Sequence, residues 1–429
     1  MFSFSASRLR RQLRALFTPF GERSVYDSAA HCTRCGSCQQ SCPSYALNKQ
    51  ETFSPRGRNQ ALRLIMERKL DPRTHKQLLE EIVNSCTLCG RCTQTCAGKI
   101  PTAEHMLELR RALNLRALPG SLYTLLSLRG TRPALFDRLV RTGLFLRRLG
   151  LVALLRKTGL TRLFGLEWIN RADDLLPRRI PSLQKYLAAK NIQSRPENPD
   201  LIYLPSLEAQ YFLPELAASI LKSSAEKHRP VLWPNVSSGL FEYVYGDLRR
   251  SRRAVRRLIR RAEQANLPIL TDSVDVFTFL HRAPQLFAGN KRWEHKARKL
   301  AENMRFVTDF LPKKPLAFSD VKTPVRLDYS ALFCREGEPL NSVQKILKTL
   351  FKKNFVECLY TDADTPAFGY GFVRNSWAEP MALNAVRTIA QTQTATVFTL
   401  SGLSALELNY SLKRLYPNAR AEHVARLNG

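Results

Sequence analysis

Eight of the ten cysteines in this 429-residue chain lie in two short windows that share one spacing. The first window reads Cys32-x-x-Cys35-x-x-Cys38-x-x-x-Cys42 and continues into Pro43, and the second reads Cys86-x-x-Cys89-x-x-Cys92-x-x-x-Cys96. Cysteine thiolates are soft ligands that suit iron–sulfur clusters, copper(I) and zinc. Three cysteines on one tight turn, with a fourth after three further residues, is the spacing of two-cluster ferredoxins. The two windows therefore predict two [4Fe–4S] clusters.

The predicted ligand sets are crossed between the windows. The first three cysteines of a window occupy three corners of one cubane, whereas the fourth leaves the turn and reaches the neighbouring cluster. Cluster 1 is then held by Cys32, Cys35, Cys38 and Cys96. Cluster 2 is held by Cys86, Cys89, Cys92 and Cys42.

Zinc and disulfide bonds fit these cysteines less well. A structural zinc ion is closed by four ligands, so two runs of four leave too many thiolates for one ion. Disulfide frameworks are typical of small secreted domains, whereas this chain is long and its N-terminus lacks the unbroken apolar core of an export signal. Cys334 and Cys358 stand outside any ligand spacing, and we expect them to be buried thiols in apolar strands.

Five residues near the cysteines are candidates to shape or tune the clusters. Gly36 and Gly90 each follow the second cysteine of a window, where the backbone must pass close to the inorganic core. His31 precedes the first ligand and is placed to donate a hydrogen bond to cluster sulfur, with simple exposure as the alternative. Arg56 and Arg58 follow the first window, where a cation would favour the reduced cluster and raise its potential. Ordinary surface ion pairing is the alternative for both arginines.

The spacing of apolar residues predicts an α+β multidomain protein with an all-helical N-terminal module. Between the two windows, residues 58–70 and 74–85 carry apolar side chains at helical spacing, with a break at Asp71-Pro72. A linker of short amphipathic helices, rich in Leu and Arg, follows to about residue 195.

Beyond residue 198, short apolar runs alternate with helical stretches, which indicates an α/β domain. Strands are predicted at 201–204, 231–233 and 267–270, and helices at 214–223 and 248–265. A second copy of the pattern is predicted from strand-like runs at 331–333, 355–360 and 396–400 and helices at 342–351 and 379–390. The predicted domains are 1–24, a basic amphipathic segment; 25–112, the two-cluster module; 113–198, the helical linker; and 199–429, a duplicated α/β domain with repeats at about 199–312 and 325–429.

The chain is strongly basic, with 67 Lys and Arg against 36 Asp and Glu and a formal net charge of +31. Such an excess favours an anionic partner, which is nucleic acid, an anionic lipid surface or an acidic protein. Predicted helix 248–265 places eight arginines on one face: Arg249, Arg250, Arg252, Arg253, Arg256, Arg257, Arg260 and Arg261. This face is either simply solvated or docks on an anionic partner.

The N-terminal segment also has an amphipathic pattern. Leu9, Leu13, Leu16 and Phe17 form one stripe opposite arginines, as in an interfacial membrane helix or a helix packed on the protein's own core. The stretch has no acidic residue before Glu22, which leaves a transit peptide open. No apolar run approaches the ~18 residues that span a bilayer. We therefore expect a cytoplasmic protein, with peripheral contact to the inner face of the membrane as a further expectation.

The helical module resembles the two-cluster domain of the iron–sulfur subunits of respiratory dehydrogenases. Both cysteine windows, the segment Pro55-Arg56-Gly57-Arg58 and the duplicated C-terminal pattern resemble iron–sulfur subunits of the glycolate oxidase, anaerobic glycerol-3-phosphate dehydrogenase and heterodisulfide reductase type. The resemblance implies an electron-transfer subunit that works between a flavoprotein partner and a quinone-type or other acceptor. It further implies a membrane quinone-reactive subunit as a partner.

The C-terminal half departs from the pattern of that family. Each repeat there usually bears a Cys-Cys-Gly signature and further cysteines that bind an additional metal centre. In this chain Ser237-Ser238-Gly239 and Ala367-Phe368-Gly369 align with the signatures, and the flanking cysteines are replaced by Leu207, Ala331 and Leu403. Such side chains are poor substitutes for a thiolate toward iron, so we expect no metal centre in this half.

No motif of an active site is visible. The sequence has no glycine-rich nucleotide fingerprint, no nucleophile elbow and no paired carboxylates, so no catalytic residue is predicted. One alternative is a basic nucleic-acid-binding protein with structural or sensory clusters, although aromatic residues are not interleaved with its basic motifs. Another is an electron-transfer protein whose C-terminal repeats host a substrate.

Overall fold

The computed structural model describes residues 16–18, 21–23, 25–113, 120–311, 323–328, 339–357 and 375–428. The predicted strand 331–333, the lone Cys334 and Cys358, and the Ala367-Phe368-Gly369 signature lie outside the described residues. Among the described residues, no helix has both the length and the apolar composition to cross a bilayer.

The end of the predicted N-terminal helical stripe is extended instead. Strand β1 (Leu16–Thr18) pairs antiparallel with β2 (Gly21–Arg23), with Phe17 opposite Glu22. Pro19 follows β1 directly, and the residue before a proline is disfavoured in the helical conformation. The interfacial helix is therefore wrong for these strand residues, and the earlier part of the stripe lies outside the described residues.

The module that carries the cysteines is all helical. Its helices are Val25–Ala30, Pro43–Asn48, Pro55–Met66, Lys76–Asn84, Arg91–Thr95 and Thr102–Ala112, with a 3-10 turn at Glu51–Phe53. Three helices lie between the windows: Pro55–Met66 and Lys76–Asn84 are the two that the apolar spacing predicts, whereas the short helix Pro43–Asn48 was not predicted. Leu62, Leu79 and Met106 are fully buried between them, whereas Leu78 points outward.

The residues Ser54 and Pro55 favour the start of helix Pro55–Met66. The hydroxyl of Ser54 accepts a hydrogen bond from the Gly57 amide at 2.9 Å, and Pro55 occupies the first turn, where its missing amide costs nothing. A Cβ on Gly57 would lie 2.0 Å from the carbonyl oxygen of Glu51. Only glycine therefore lets the preceding 3-10 turn fold back onto the helix, which places Arg56 and Arg58 beside the cysteine turns.

The linker consists of six short helices. These are Gly120–Thr131, Pro133–Arg148, Leu151–Lys157, Leu160–Leu163, Glu167–Leu175 and Leu183–Ala189. A buried ion pair between Arg171 and Glu407, 2.5 Å apart, ties the linker to the C-terminal helix Gly402–Leu415.

The first α/β unit has a parallel four-stranded sheet. Its strands are β3 (Leu201–Leu204), β4 (Pro230–Leu232), β5 (Ile269–Thr271) and β6 (Met304–Phe306), in the spatial order β4-β3-β5-β6. Ile202 faces Val231 on one side and Ile269 on the other. The first three strands match the predicted ones within two residues, whereas β6 was not predicted, because its three residues include the exposed Arg305.

The helices around this sheet agree with the apolar spacing. They are Leu207–Tyr211, Pro214–Ser224, Leu240–Val244, Leu248–Ala265, Val274–His281, Ala283–Leu286 and Lys291–Glu302, with a 3-10 turn at Val307–Phe310. The arginine-rich helix Leu248–Ala265 has the predicted bounds, and it buries Val255, Leu258 and Ile259 on its inner face.

The second α/β unit has a parallel sheet in the order β7-β8-β9. Its strands are β7 (Val325–Leu327), β8 (Thr396–Thr399) and β9 (Arg420–His423), and Phe355 adds a single parallel bridge to Val325. The described helices are Leu340–Phe351, Asn375–Gln391 and Gly402–Leu415, with 3-10 turns at Lys352–Asn354 and Val424–Asn428. The two sheets have the same order. In the first sheet β3 lies between β4 and β5, and β6 is at the edge. In the second sheet β7 lies between Phe355 and β8, and β9 is at the edge.

Two buried clusters connect these parts. One cluster joins Leu62 and Met106 of the cysteine module to Val255 and Ile269 of the first α/β unit. The other joins the two sheets, with Tyr203 and Leu270 from the first and Leu327 and Phe398 from the second. The cysteine module therefore packs directly on the first α/β unit, and the two sheets share a core.

Candidate metal centre

The two cysteine turns have the same backbone conformation. In each turn, the residue before the second cysteine and the glycine after it have positive φ: Arg34 59°, Gly36 88°, Leu88 59° and Gly90 78°. A left-handed conformation costs a non-glycine residue roughly 1–2 kcal/mol, so Arg34 and Leu88 adopt it against their intrinsic preference. Such alternation of backbone conformation turns successive amide groups toward one concave side, as in nests that bind anions and iron–sulfur clusters. The glycines fit the sequence prediction, whereas the strain at Arg34 and Leu88 was not anticipated.

The fourth cysteines leave their windows at the ends of short helices. Cys42 is extended and precedes helix Pro43–Asn48, and Cys96 is extended and follows helix Arg91–Thr95. The residues immediately before them, Ser41 and Thr95, have their hydroxyl oxygens 3.1 Å apart. This contact holds the two segments side by side.

Charge interactions connect cysteines of the two windows. Burial raises the pKa of Cys38 to about 12, with further increases from the negative charges of Cys32, Cys96 and Cys42. Burial also raises the pKa of Cys92 well above its usual value, with further increases from Cys89, Cys86, Cys42 and Cys38. Cys38 thus has Cys96 of the other window near it, and Cys92 has Cys42 and Cys38 of the other window near it.

The donor set fits clusters better than single ions. None of the eight cysteines forms a disulfide bond. A single zinc ion draws four sulfurs to about 2.3 Å from one centre, and no group of three or more His, Cys, Asp or Glu side chains in the described part is arranged for a single ion. A cubane places its thiolates on different iron atoms and holds them farther apart. Thiols with raised pKa values must lose their protons when such a group binds.

Arg58 is fully buried beside the fourth cysteine of the first window. Its Nη1 donates to the sulfur of Cys42 at 3.5 Å, and its Nη2 donates to the hydroxyls of Ser44 and Ser85, each at 2.8 Å. Burial lowers the pKa of Arg58, but the negative charges of Cys86 and Cys42 outweigh this effect and raise it overall. Arg58 therefore remains a cation against the sulfurs of the proposed cluster 2.

Arg56 lies on the opposite side, over the first cysteine turn. Its Nη1 donates to the carbonyl oxygen of Arg34 at 3.1 Å, and its Nε pairs with Glu51 at 2.6 Å. A Cβ on Gly36 would meet the Arg56 guanidinium at 3.2 Å. The two arginines of the motif thus serve different turns, Arg56 the first window and Arg58 the region of Cys42 and Cys86.

His31 is placed differently from its predicted role. Its Nδ1 lies 2.5 Å from the carbonyl oxygen of Asp27, and its side chain is exposed. The hydrogen bond that the structure gives this ring therefore goes to the preceding helix and not to a cysteine.

Residues 28–100, which contain both windows and the helices between them, match the family model of the 4Fe-4S dicluster domain. We call the helical module that contains this segment the dicluster domain. The match ends before the linker and both sheets.

Curated relatives are similar over about a quarter of this chain. A probable glycolate oxidase iron–sulfur subunit of Bacillus subtilis is 28% identical over 23% of this chain and 22% of its own length. The glycolate oxidase iron–sulfur subunit of Escherichia coli is 28% identical over 27% of this chain and 28% of its own. One polypeptide of the dihydromethanophenazine:CoB–CoM heterodisulfide reductase of Methanosarcina mazei is 31% identical over 19% of this chain and 23% of its own. The resemblance is confirmed, and most of each relative's length lies outside the matched stretch.

The dicluster domain also contacts the second α/β unit. Phe53, whose carbonyl oxygen lies 3.8 Å from the sulfur of Cys42, packs edge-on against Trp377 with ring centroids 5.0 Å apart. Trp377 belongs to helix Asn375–Gln391, which also contacts helix Pro43–Asn48. An aromatic pair, one residue of which contacts Cys42 through its backbone, thus joins the dicluster domain to the C-terminal half.

The Ser237-Ser238-Gly239 signature packs against both polar and apolar groups. Gly239 has φ 85°, and a Cβ there would lie 2.9 Å from the carbonyl oxygen of Ser251, which accounts for glycine at this position. Ser237 and a carboxylate oxygen of Glu242 both lie within 4 Å of the point where Gly130 would carry a Cβ. Leu207 and Leu403, the two other described positions at which cysteines were expected to be lost, line one apolar cavity of about 100 Å³.

A buried charged group occupies the carboxyl ends of the first sheet. Arg129 is buried next to Glu208, Glu242 and Asp272, whose charges oppose the lowering of its pKa by burial. Burial, followed by the charge of Asp272, raises the pKa of Glu208 to about 7. The side chains in this region offer carboxylate, hydroxyl and guanidinium groups, and the loss of the C-terminal metal centre stays a prediction.

Proposed function

We propose that this chain is an iron–sulfur electron-transfer subunit of an oxidoreductase complex. It would relay electrons through two [4Fe–4S] clusters between a flavoprotein dehydrogenase partner and a quinone-type or other acceptor. The observation that carries the proposal is the grouping of cysteines across the windows, with Cys96 near Cys38 and with Cys42 near both Cys92 and Cys38.

The proposed ligands follow from that grouping. Cys32, Cys35, Cys38 and Cys96 would hold cluster 1, and Cys86, Cys89, Cys92 and Cys42 would hold cluster 2. The two sets exchange their fourth members, which supports two clusters side by side rather than two separate sites.

A bound [4Fe–4S] cluster takes up and returns one electron. The chain's own residues would set how readily this happens. The backbone of the two cysteine turns would present amides to the clusters, and the buried Arg58 cation lies 3.5 Å from the sulfur of Cys42. Both features favour the more negative, reduced state. Burial of Cys42 and Cys86 keeps water away from the proposed cluster 2.

The remaining domains would serve docking. We propose a basic segment at 1–24, the cluster module at 25–112, a linker at 113–198 and a duplicated α/β domain at 199–429, with repeats at about 199–312 and 325–429. The equal strand order of the two parallel sheets supports the duplication. No catalytic residue is proposed in the chain, so substrate chemistry would belong to the flavoprotein partner.

The names of the relatives suggest the partners. Two are iron–sulfur subunits of glycolate oxidase, and one is part of a heterodisulfide reductase. By analogy, this chain would sit between a dehydrogenase subunit and a membrane quinone-reactive subunit, on the cytoplasmic side.

The experiment purifies the tagged chain anaerobically from gently solubilised membranes, together with the proteins that accompany it. Addition of glycolate and other 2-hydroxy acids should produce the paramagnetic signal of reduced [4Fe–4S] clusters, and a water-soluble quinone should abolish it. The double variant Cys35→Ser, Cys89→Ser should retain its partners yet pass no electrons, while Cys334→Ser is the matched control. Equal rates of quinone reduction by the wild-type and doubly substituted complexes would refute the proposal.

A further inference from the structure

Exposed large apolar side chains are concentrated in one segment of the linker. Eight of them lie between residues 139 and 164: Leu139, Phe145, Leu146, Leu149, Leu151, Leu154, Leu163 and Phe164. Leu149, Leu163 and Phe164 are 65%, 76% and 66% exposed. Elsewhere in the described part of the chain, only Leu78 and Leu415 are large apolar side chains of comparable exposure. We call these eight side chains the apolar patch.

The patch lies on three consecutive short helices. Helix Pro133–Arg148 carries Leu139 and Leu146, whose spacing of seven residues places them on the same face. The following helices, Leu151–Lys157 and Leu160–Leu163, begin after Gly150 and Gly159, which have φ 81° and 73°. No atom lies within 4 Å of the position of a Cβ on either glycine, so these glycines serve the turns between helices rather than close packing.

The segment that carries the patch is basic, although four of its arginines, Arg141, Arg147, Arg156 and Arg162, pair with carboxylates outside it. Between Asp137 and Glu167 the sequence has seven basic residues and no acidic residue. Arg147 anchors the segment, because its guanidinium pairs with Asp173 at 2.5 Å and donates to the carbonyl oxygen of Leu176 at 2.8 Å. The other basic side chains of the segment include the exposed Arg148.

A basic cleft adjoins the patch. It has a volume of about 480 Å³ and is lined by Phe145 of the patch together with Arg148, Arg178, Arg179 and Lys185. All four cations are exposed, and no carboxylate lines the cleft. The cleft therefore has the charge and the position to hold a phosphate group beside the apolar surface.

We propose that the apolar patch and the basic cleft dock this chain on an anionic phospholipid bilayer. The apolar side chains would enter the boundary between headgroups and acyl chains, and the cleft would hold a lipid phosphate. Leu and Phe side chains flanked by Arg and Lys are typical of interfacial helices. The cations of the cleft complement the negative charge of lipid phosphates. Docking would place the proposed electron relay beside a lipid-soluble acceptor. The docking proposal itself is argued only from side chains of the linker and does not depend on the relay.

The test measures co-sedimentation of the full-length, anaerobically purified chain with lipid vesicles. At about 0.15 M salt, where charges are screened beyond about 8 Å, the chain should bind vesicles of phosphatidylcholine mixed with phosphatidylglycerol, and should bind phosphatidylcholine alone more weakly. The variant Phe145→Ser, Leu149→Ser, Leu163→Ser, Phe164→Ser should lose at least about 10-fold in partitioning, because each exposed side chain forfeits its burial in lipid. An unchanged far-ultraviolet circular dichroism spectrum shows that the variant is folded.

Matched variants distinguish binding through this surface from non-specific binding that depends on net charge or on exposed apolar side chains elsewhere. Leu78→Ser with Leu415→Ser changes exposed leucines elsewhere, and partitioning should stay within about 2-fold of wild type, as for ordinary surface changes. Arg148→Gln, Arg178→Gln, Arg179→Gln should remove the preference for anionic lipid, while the exposed Arg253, Arg257 and Arg260 changed to Gln should keep it. Failure to bind anionic vesicles, or an equal loss in the patch variant and its leucine control, would overturn the proposal. Cluster content does not enter either outcome.

Discussion

The hydroxyl oxygens of Ser41 and Thr95 lie 3.1 Å apart, one residue before each of the two fourth cysteines. Each hydroxyl also lies near the carbonyl oxygen of the third cysteine in its own window, Ser41 at 3.1 Å from Cys38 and Thr95 at 3.4 Å from Cys92. A hydroxyl has one proton. One of the two therefore donates across the pair while the other donates to its own window. This contact joins the two windows one residue before Cys42 and Cys96.

Removing this contact should loosen both proposed clusters at once. Ser41→Ala with Thr95→Val should lower the free energy of unfolding by about 1 kcal/mol, the usual net value of one intramolecular hydrogen bond. It should also speed the release of iron to a chelator. Thr124→Val is the control, because its hydroxyl bonds only to Gly120 within its own helix. Release of iron at the control's rate would show that the contact does not hold the windows together.

Arg58 should raise the reduction potential of one cluster. Arg58→Met removes the cation next to Cys42, so the potential of the proposed cluster 2 should fall by on the order of 60 mV, which is tenfold in a one-electron equilibrium. Arg58→Lys keeps the charge and should recover part of this shift, even if the loss of the bonds to Ser44 and Ser85 weakens folding. Potentiometric titration followed by electron paramagnetic resonance measures both.

The control for Arg58 lies on the same helix. Arg63 pairs with Glu67 at 2.6 Å and is partly exposed, so Arg63→Met should leave both potentials unchanged. A shift of equal size in Arg63→Met would mean that the potential responds to net charge and not to the contact with Cys42.

His105 should make the dicluster domain sensitive to acid. The ring is fully buried between Asn59 and Ser28, at 2.8 and 3.0 Å, and burial lowers its pKa from 6.5 to about 4. Between these values the unfolded state binds more protons than the folded state, so stability falls as pH falls. From about pH 7 to pH 5 the loss should be about 2 kcal/mol.

Thermal unfolding at several pH values measures this loss. His105→Gln keeps polar groups at the site but does not take up a proton, so its unfolding temperature should depend less on pH than that of the wild type. His295→Gln changes an exposed histidine and should retain the wild-type pH dependence. If His105→Gln and the wild type lose stability in parallel, another group causes the acid sensitivity.

The sequence predicts the parts of this structure that depend on local pattern. The windows, the helices between them and the helix Leu248–Ala265 follow from spacing and apolar periodicity, which local backbone geometry enforces. Strands β3 and β8 were predicted because each is a continuous apolar or β-branched run that is buried on both faces. The dicluster domain was predicted from cysteine spacing and is confirmed by the family match.

Other features depend on contacts that spacing does not encode. β7 and β9 contain Arg326 and Arg420, and short strands with a charged residue resemble loops. The positive φ of Arg34 and Leu88 is imposed by the cysteine turn, since neither residue type favours it. The contact between Ser41 and Thr95 joins residues 54 positions apart, and neither side chain belongs to a recognisable motif. The contact can therefore be identified only in the folded structure.

The most direct test of the two-cluster relay is a count of iron and acid-labile sulfide in the anaerobically purified chain, together with the spin of its fully reduced form. The account predicts about eight iron and about eight sulfide per chain, and two reduced clusters close enough for their paramagnetic signals to interact. The Cys35→Ser, Cys89→Ser variant should lose both signals, and Cys334→Ser should keep them. About four iron per wild-type chain, with one isolated paramagnetic centre, would contradict the account.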